Sequence, residues 1–403
     1  MQDTIKKVTI MGLGYIGLPT AALIAKHKIT VLGVDVQQHI VETINEGHIH
    51  IVEPDLEGLV KKVVSDRRLQ ASTQVETSDV FIIAVPTPFK GNHIPDLTFV
   101  ESATLSILPK LKEGDLFIIE STSPVGTTEK MAQLIFTKRP ELHDKIYIAY
   151  CPERVLPGNV LHELVHNDRV IGGIDKASTN RAIQFYRIFV KGDLHPTDAR
   201  TAEMVKLTEN SSRDVQIAFA NELSMICEKA DINVWELIRL ANKHPRVNIL
   251  NPGTGVGGHC IAVDPWFIVS DFQNEAKLIR TARKINDYKS DWVIAQVEKE
   301  IKNFEKENNR KAQVACMGLA FKPDIDDLRE SPALYVTKML KLKYKNVLVS
   351  EPNVEKHQEF IIEDSKKVVK SADIIVFLVA HKEYKTLQLD DNKIVLDFCG
   401  VRN

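Results

Sequence analysis

KKVTIMGLGYIGLPTAALIAKHKITVLGVD, residues 6–35, decides the fold. Lys6–Met11 is an apolar, β-branched run that reads as a strand, and the Ala-rich stretch Pro19–Lys26 reads as a helix. Ile29–Asp35 returns as a second strand. Between the first two lies Gly12-Leu13-Gly14-Tyr15-Ile16-Gly17. A glycine-rich turn that leaves a strand and opens a helix gives a dinucleotide its diphosphate site: Gly12 permits the tight turn, Gly14 lets backbone approach the anion, and Gly17 allows close helix–strand packing. Tyr15 and Ile16 ride between these glycines into the same cofactor site. The helix N-terminus offers its unpaired N–H groups to the negative charge. Asp35 follows Gly17 by 18 residues (35 − 17) at the end of the second strand, where a carboxylate binds a ribose 2′-hydroxyl and repels a 2′-phosphate. NAD is therefore expected in preference to NADP.

Further short apolar runs follow at Val80–Val85, Leu116–Glu120 and Lys145–Tyr150, separated by helical or turn stretches. That alternation predicts a parallel sheet covered on both faces. Thr87, in Val85-Pro86-Thr87-Pro88, and Thr122, in Ser121-Thr122-Ser123-Pro124, sit just after two of these strands. Their hydroxyls are placed either to meet the cofactor or to cap helices. From Thr201 the period becomes helical, with Met204, Leu207, Val215, Ile217, Ala218, Leu223, Ile226 and Cys227 spaced for a buried stripe, and the charged stretch Lys302–Lys311 suits a helix end near Asn309. A second strand series follows: Ala312–Met317, Val347–Ser350, Ile374–Val379 and Ile394–Phe398, with a helix starting at Ser331-Pro332. The expected fold is α/β: two Rossmann-like, doubly wound domains, residues 1–200 and 310–403, joined by a helical central domain, residues 201–309. Two nucleotide-type domains flanking a helical spacer imply two ligands.

With 403 residues the chain exceeds one ordinary core. Its 44% hydrophobic and 26% charged residues are those of a globular protein, and a net charge of −2 gives no nucleic-acid bias. No apolar stretch approaches the ~20 residues that span a bilayer, and Met1–Lys7 is not followed by the apolar core of a targeting segment. The five cysteines, Cys151, Cys227, Cys260, Cys316 and Cys399, form no CxxC pair, so neither a disulfide framework nor a metal site is expected. Reduced thiols in the cytoplasm are.

One of those thiols stands apart. Asn251-Pro252-Gly253-Thr254-Gly255-Val256-Gly257-Gly258-His259-Cys260 is a glycine-rich loop delivering a cysteine, with Asp264 four residues on. Backbone without side chains lets a bulky substrate approach and lets amides point inward, which favours a nucleophile at Cys260. Lys206 and Asn210, four residues apart, share one helix face; a cation beside an amide donor suits a developing oxyanion, although an ordinary solvated face gives the same pattern. Glu153 follows the strand Lys145–Tyr150 and is placed either as a base at the sheet's ligand edge or as a solvated loop acid.

Taken together, GLGYIG, STSPVGTT, CPERVLPGN, KLTEN, GTGVGGHCIAVDP and FKPDIDDLRESPA resemble, in order and spacing, the UDP-glucose/GDP-mannose dehydrogenase family over nearly the whole chain. The resemblance implies a four-electron oxidation of a UDP-sugar at C6, consuming two NAD for each sugar. Cys260 would form first a thiohemiacetal and then a thioester. Lys206 and Asn210 would hold the oxyanion, while Glu153, Asp264 and Thr122 would position or activate the hydrolytic water. Lys322 and Arg329 would bridge substrate and cofactor, Arg246 would reach the sugar, and Arg154, Val155, Gly257 and Phe321 would complete the substrate site. A homodimer built on the long central helix is also implied. The runs CPERVLPG and HPRVNILNPGTGVGGHCIAVDPWFI look most like members acting on UDP-N-acetyl-D-mannosamine, with UDP-N-acetylglucosamine and UDP-glucose as alternatives. UDP-glucose members carry a second acid four residues after the first; here that position is Pro157, which argues against glucose. A one-step hydroxyacid dehydrogenase, or a sensor that binds both ligands without turnover, would leave this reactive set without use.

Overall fold

The computed structural model describes residues 5–155 and 158–402; Leu156 and Pro157 lie outside them. The chain divides into two compact units, residues 1–208 and 209–403. In the first, strands β1 (Lys7–Met11), β2 (Thr30–Val34), β3 (Leu69–Ser72), β4 (Val80–Ile83), β5 (Leu116–Ile119), β6 (Tyr147–Tyr150), β7 (Arg169–Gly173) and β8 (Leu194–Asp198) form one sheet in the order β8-β7-β6-β5-β4-β1-β2-β3. All neighbours are parallel except β6 and β7. β4 and β5 are buried at every residue, as strands covered on both faces must be. Alternate side chains feed two cores: Val8, Ile10, Ile82 and Ile118 on one face, Phe81, Ile83, Phe117 and Ile119 on the other. The strand order reverses between β1 and β4, which opens the ligand crevice at their carboxyl ends.

The second unit holds helices and a four-stranded parallel sheet, β9 (Val314–Met317), β10 (Val347–Ser350), β11 (Ile374–Phe377) and β12 (Ile394–Asp397), in the order β10-β9-β11-β12. Ser331 caps the helix Pro332–Lys343 by accepting from the Leu334 amide at 3.3 Å. This sheet repeats the first one's opening turn. Gly12 and Gly318 both have positive φ (89° and 102°), and each donates its amide to the carbonyl ending the next strand, Val34 or Ser350, at 2.8 Å. Leu13 N donates to Asp35 at 3.0 Å, and Leu319 N to Glu351 at 2.7 Å. Glu351 also accepts from Ala320 N, Asn353 N and His381 Nε2, each at 3.0 Å.

The central helix runs Ala199–Lys229, and a second long helix, Lys277–Asn308, stops at Asn309, whose φ of 47° is left-handed. The seam between them corrects the expected apolar stripe. Ile226 is 55% exposed and Phe219 57%, whereas Ser211, Asp214, Asn221 and Ser224 are buried. Met204, Val215, Ile217 and Leu223 are only half-buried. The facing helix supplies Arg283, Asn286 and Lys289, so the seam is ionic: Arg283 Nη1 to Asp214 Oδ1 at 2.7 Å, Asn286 Nδ2 to Asp214 Oδ1 at 2.7 Å, Asn221 Nδ2 to Asn286 Oδ1 at 2.9 Å, and Lys289 Nζ to Ser224 Oγ at 2.7 Å. Leu207, Ala218 and Cys227 of the expected stripe are buried, but polar side chains share the buried face because they have partners there, and Ile226 is left outside. Among the described residues no helix is long and apolar enough to cross a membrane.

Candidate active site

In the first unit the glycine turn has the shape the sequence requires. A Cβ on Gly12 would stand 2.6 Å from the Ala84 carbonyl oxygen, and one on Gly17 would stand 1.8 Å from that of Gly12, so any side chain there would break the turn. Gly14 is different: nothing lies within 4 Å of its Cβ position. That open space, at the N-terminus of the helix Gly17–Lys26, fits a diphosphate lying on bare backbone. Tyr15 is exposed and Ile16 half-buried at its rim. Asp35 is held by the Leu13 and Gln37 amides, both at 3.0 Å, which fix the carboxylate for a ribose. Beside it Val36 is 93% exposed, an apolar surface that a flat base would cover, and sequence reading passed it over. These residues fit NAD.

The loops after β4 and β5 are stitched together. Thr87 Oγ1 donates to the Thr122 carbonyl at 2.6 Å and Ser121 Oγ to the Val85 carbonyl at 2.7 Å. Among the described residues neither Thr87 nor Thr122 caps a helix by its side chain, and the Thr87 hydroxyl fastens one ligand-edge loop to the other. Glu203, early in the central helix, accepts from Gly126 N, Thr128 N and Thr128 Oγ1 at 2.6–2.8 Å and so fixes the end of the second loop.

Glu153 is not a solvated loop acid. It is 8% exposed, its Oε1 accepts from the Arg154 amide at 2.7 Å, and its Oε2 accepts from Arg169 Nη2 at 3.1 Å. Arg154 is half-buried and reaches the Asp168 carbonyl at 3.2 Å; Val155 packs on the core. Beyond the undescribed Leu156 and Pro157, Glu53 accepts from Gly158 N and Val160 N at 2.8 Å each, anchoring that segment. Glu53 and Arg169 went unread in the sequence. The signal for Arg169 was there, a lone charge opening the apolar run Arg169–Gly173.

Cys260, in the second unit, is exposed, whereas Cys151, Cys227 and Cys316 are buried and Cys399 is half-buried. Burial pushes Cys151 and Cys316 up to about 12, raises Cys227, and holds Cys399 well above the ordinary thiol range. The Cys260 carbonyl accepts from Val263 N at 3.1 Å and Asp264 N at 2.8 Å, which docks the cysteine on the helix Asp264–Asp271. Asp264 is 3% exposed and accepts from Asn210 Nδ2 at 2.5 Å. Asn210, Asp264 and Cys260 are thus brought together. Lys206 lies half-buried one turn before Asn210 on the same helix.

The glycines before Cys260 prove to serve packing as much as access. Cβ atoms on Gly257 would meet the Glu330 carbonyl at 2.5 Å and Phe321 Cβ at 2.7 Å; on Gly258 (φ 81°), the Phe321 ring at 2.9 Å; on Gly255, Ser290 Oγ at 2.9 Å and Pro332. Gly258 N also donates to the Arg329 carbonyl at 3.1 Å. The loop is pressed onto Phe321–Pro332, so Gly257, Phe321 and Arg329 share one surface with the thiol's loop. Arg329 is clamped on Asp327 through Nε and Nη2 at 2.6–3.0 Å, while Lys322 and Arg246 are exposed. Desolvation, reinforced by the Arg329 charge, pushes the His259 imidazole down, so His259 is a poor cation for acidifying its neighbour. Among the described residues no three or more His, Cys, Asp or Glu are grouped to hold a metal ion.

The chain belongs to the UDP-glucose/GDP-mannose dehydrogenase family, whose NAD binding domain matches residues 6–190, central domain residues 200–288, and UDP binding domain residues 315–402. It is an NAD-dependent oxidoreductase of three-domain α/β architecture. It is 55% identical to a UDP-N-acetyl-D-mannosamine dehydrogenase of Yersinia pestis, over 96% of each chain. It is 50% identical to an NDP-N-acetyl-D-galactosaminuronic acid dehydrogenase of Ralstonia nicotianae, over 98% of this chain and 96% of that one. The solved UDP-D-ManNAc dehydrogenase of Pyrococcus horikoshii superposes with a TM-score of 0.89 at 39% identity, covering 98% of this chain and 96% of that one.

Proposed function

We propose that the protein oxidises the C6 alcohol of UDP-N-acetyl-D-mannosamine to the carboxylate, with Cys260 as nucleophile. One observation carries the reading: of five thiols only Cys260 is exposed, and its loop is docked on the Asp264–Asn210 pair. Gly12, Gly14, Tyr15, Ile16, Gly17, Asp35 and Thr87 would hold NAD, which would supply the hydride acceptor for two successive oxidations. The first leaves an aldehyde at C6. The Cys260 thiolate adds to that carbon, and Lys206 and Asn210 hold the resulting oxyanion with a charge and an N–H. Loss of the second hydride from this thiohemiacetal restores the carbonyl as a thioester. Glu153, helped by Asp264 and Thr122, then takes a proton from water as the water attacks; the C–S bond breaks and the thiolate is regenerated. Alcohol, water and two NAD⁺ become carboxylate, two NADH and three protons.

Arg154, Val155, Gly257, Phe321, Lys322 and Arg246 bind the UDP-sugar, and Arg329 couples that site to the cofactor. The segments 1–200, 201–309 and 310–403 divide cofactor binding, the cysteine loop with dimerisation, and UDP binding. The outward Phe219 and Ile226 of the central helix support a homodimer: two apolar side chains seven residues apart on one face are costly in water and cheap against a second copy. Five cysteines without a CxxC pair favour the reducing cytoplasm.

A panel of purified UDP-N-acetylmannosamine, UDP-N-acetylglucosamine, UDP-N-acetylgalactosamine and UDP-glucose, with NADH counted per mole of sugar, tests this. A ratio near two with the first and little with the others is expected. One NADH per sugar, or full turnover by Cys260→Ala, refutes the thioester route; binding of both ligands without NADH marks a sensor.

A further inference from the structure

Behind Glu153 lies a closed cluster inside the first unit, drawn from four elements. Glu120 follows β5, Cys151 and Glu153 follow β6, Arg169 opens β7, and Tyr186 ends the helix Lys176–Tyr186. Arg169 is 4% exposed; besides Glu153 it meets Cys151 Sγ at 3.8 Å, and its guanidinium carbon stands 5.1 Å from the Tyr186 ring centre. Tyr186 Oη donates to Glu120 Oε1 at 2.6 Å. Glu120 is 2% exposed, and its buried Oε2 has no hydrogen-bond partner.

The charge balance of this cluster is uneven. The charged groups facing Glu120 are Arg169 and Glu153. Burial keeps the Cys151 thiol and the Tyr186 phenol neutral. Two carboxylates therefore face one guanidinium in a dry interior, where like charges sharing a site cannot both ionise cheaply. Burial, with the Glu153 charge adding to it and Arg169 opposing it, pushes Glu120 up to about 7. Glu120 thus changes charge near neutrality while Arg169, common to both acids, does not.

We propose that Glu120 is a positioning residue for thioester hydrolysis: by gaining or losing a proton it decides whether Arg169 acts on Glu153 alone or is shared, and so how firmly the Glu153 carboxylate is held in place. The proposal rests on the reading of Glu153 as the group that activates water. With Glu120 neutral, Arg169 pairs with the Glu153 carboxylate alone and holds it back from the water. Once Glu120 is ionised, Arg169 is divided between two carboxylates and Glu153 is freed to reach the water. Hydrolysis accelerates as the pH rises through about 7.

Glu120→Gln keeps an oxygen for the Tyr186 hydroxyl and cannot ionise. Thioester breakdown is followed in full-length protein by rapid acid quench and the mass of the Cys260 peptide, between pH 5.5 and 9. The parent protein is expected to show a rise of roughly three- to tenfold centred near neutrality, and Glu120→Gln to stay at the low-pH rate with KM for both ligands unchanged. Infrared titration of the apoprotein should show a carboxylic-acid carbonyl band lost over the same pH range and missing in Glu120→Gln. Persistence of the rise in Glu120→Gln, or absence of the band from the parent, overturns the proposal. Tyr186→Phe removes the one hydrogen bond that favours the Glu120 carboxylate and should move the rise to higher pH; an unmoved rise overturns it equally. Glu153→Gln separates the two readings. If it hydrolyses the thioester normally, the role of Glu153 is wrong. If it is dead while Glu120→Gln behaves as the parent, this proposal alone fails.

Discussion

Arg283→Met would remove the cation from the seam that holds the two long helices of the second unit together. Asp214 is fully buried, and its Oδ2 already lacks a partner. Without the Arg283 contact at 2.7 Å its Oδ1 keeps only the Asn286 amide, also at 2.7 Å. A buried carboxylate stripped of its counter-ion costs about 3–5 kcal/mol, whereas replacing both partners by apolar residues of similar size is close to neutral. Arg283→Met should therefore lower the urea midpoint strongly, and Asp214→Leu/Arg283→Met should recover most of the loss, because Asn286 still reaches the Asp214 carbonyl at 3.0 Å. The pH dependence has a definite sign. Burial raises the Asp214 carboxyl above its ordinary 3.8 even beside Arg283, and raises it further without it. For an acid with a raised folded value, stability is complete below the unfolded value and is lost as pH climbs through the folded one. The Arg283→Met penalty should be small near pH 4 and full at pH 8. A loss under about 1 kcal/mol at pH 8, or a double variant no better than the single one, refutes the ionic seam.

Iodoacetamide applied to the native protein should label Cys260 and spare the other four thiols, as read by peptide mass; equal labelling of Cys227 or Cys399 contradicts the burial described. Gly258→Ala puts a side chain at φ 81° and 2.9 Å from the Phe321 ring; about 1–3 kcal/mol of strain should appear as a raised KM for the UDP-sugar, with KM for NAD unmoved. Lys289 is 2% exposed with Trp292 3.8 Å from its ammonium, and burial pushes it down to about 7 from 10.5. Between those values the unfolded chain binds the extra proton, so stability should increase from pH 7 towards pH 10. Lys289→Met should flatten that slope, and an unchanged slope refutes the assignment.

The first half of the fold was legible because periodicity and glycine chemistry agreed: β1, β2, β4, β5 and β6 all stand within the apolar runs that announced them. β3, β7 and β8 were passed over, for physical reasons. Leu69–Ser72 is short and half polar, Arg169–Gly173 opens on a charge, and Leu194–Asp198 carries a proline at the sheet edge, where a missing amide does no harm. The central helix was legible as a helix but only partly by face: Leu207, Ala218 and Cys227 are buried as their spacing announced, while the polar pairs Asp214–Arg283 and Ser224–Lys289, which apolar spacing does not register, are buried as well. Of the site, the residues on the polar side of a glycine turn or beside the thiol could be read locally. Glu53 and Glu120 could not, since their partners lie 107 and 66 residues away in sequence, and the lone charge of Arg169 showed that it was unusual without showing its partner Glu153.

The two opening turns were built alike and then put to opposite uses. Asp35 spends one oxygen on each of two amides and keeps an accessible flank. Glu351, at the corresponding strand end, is enclosed by three amides and the His381 ring and is only 3% exposed. The C-terminal fold has turned its sugar-reading acid into an internal rivet. The same strand-end position thus carries a carboxylate with a free flank in one sheet and a fully engaged one in the other, so two like turns need not favour the same guest.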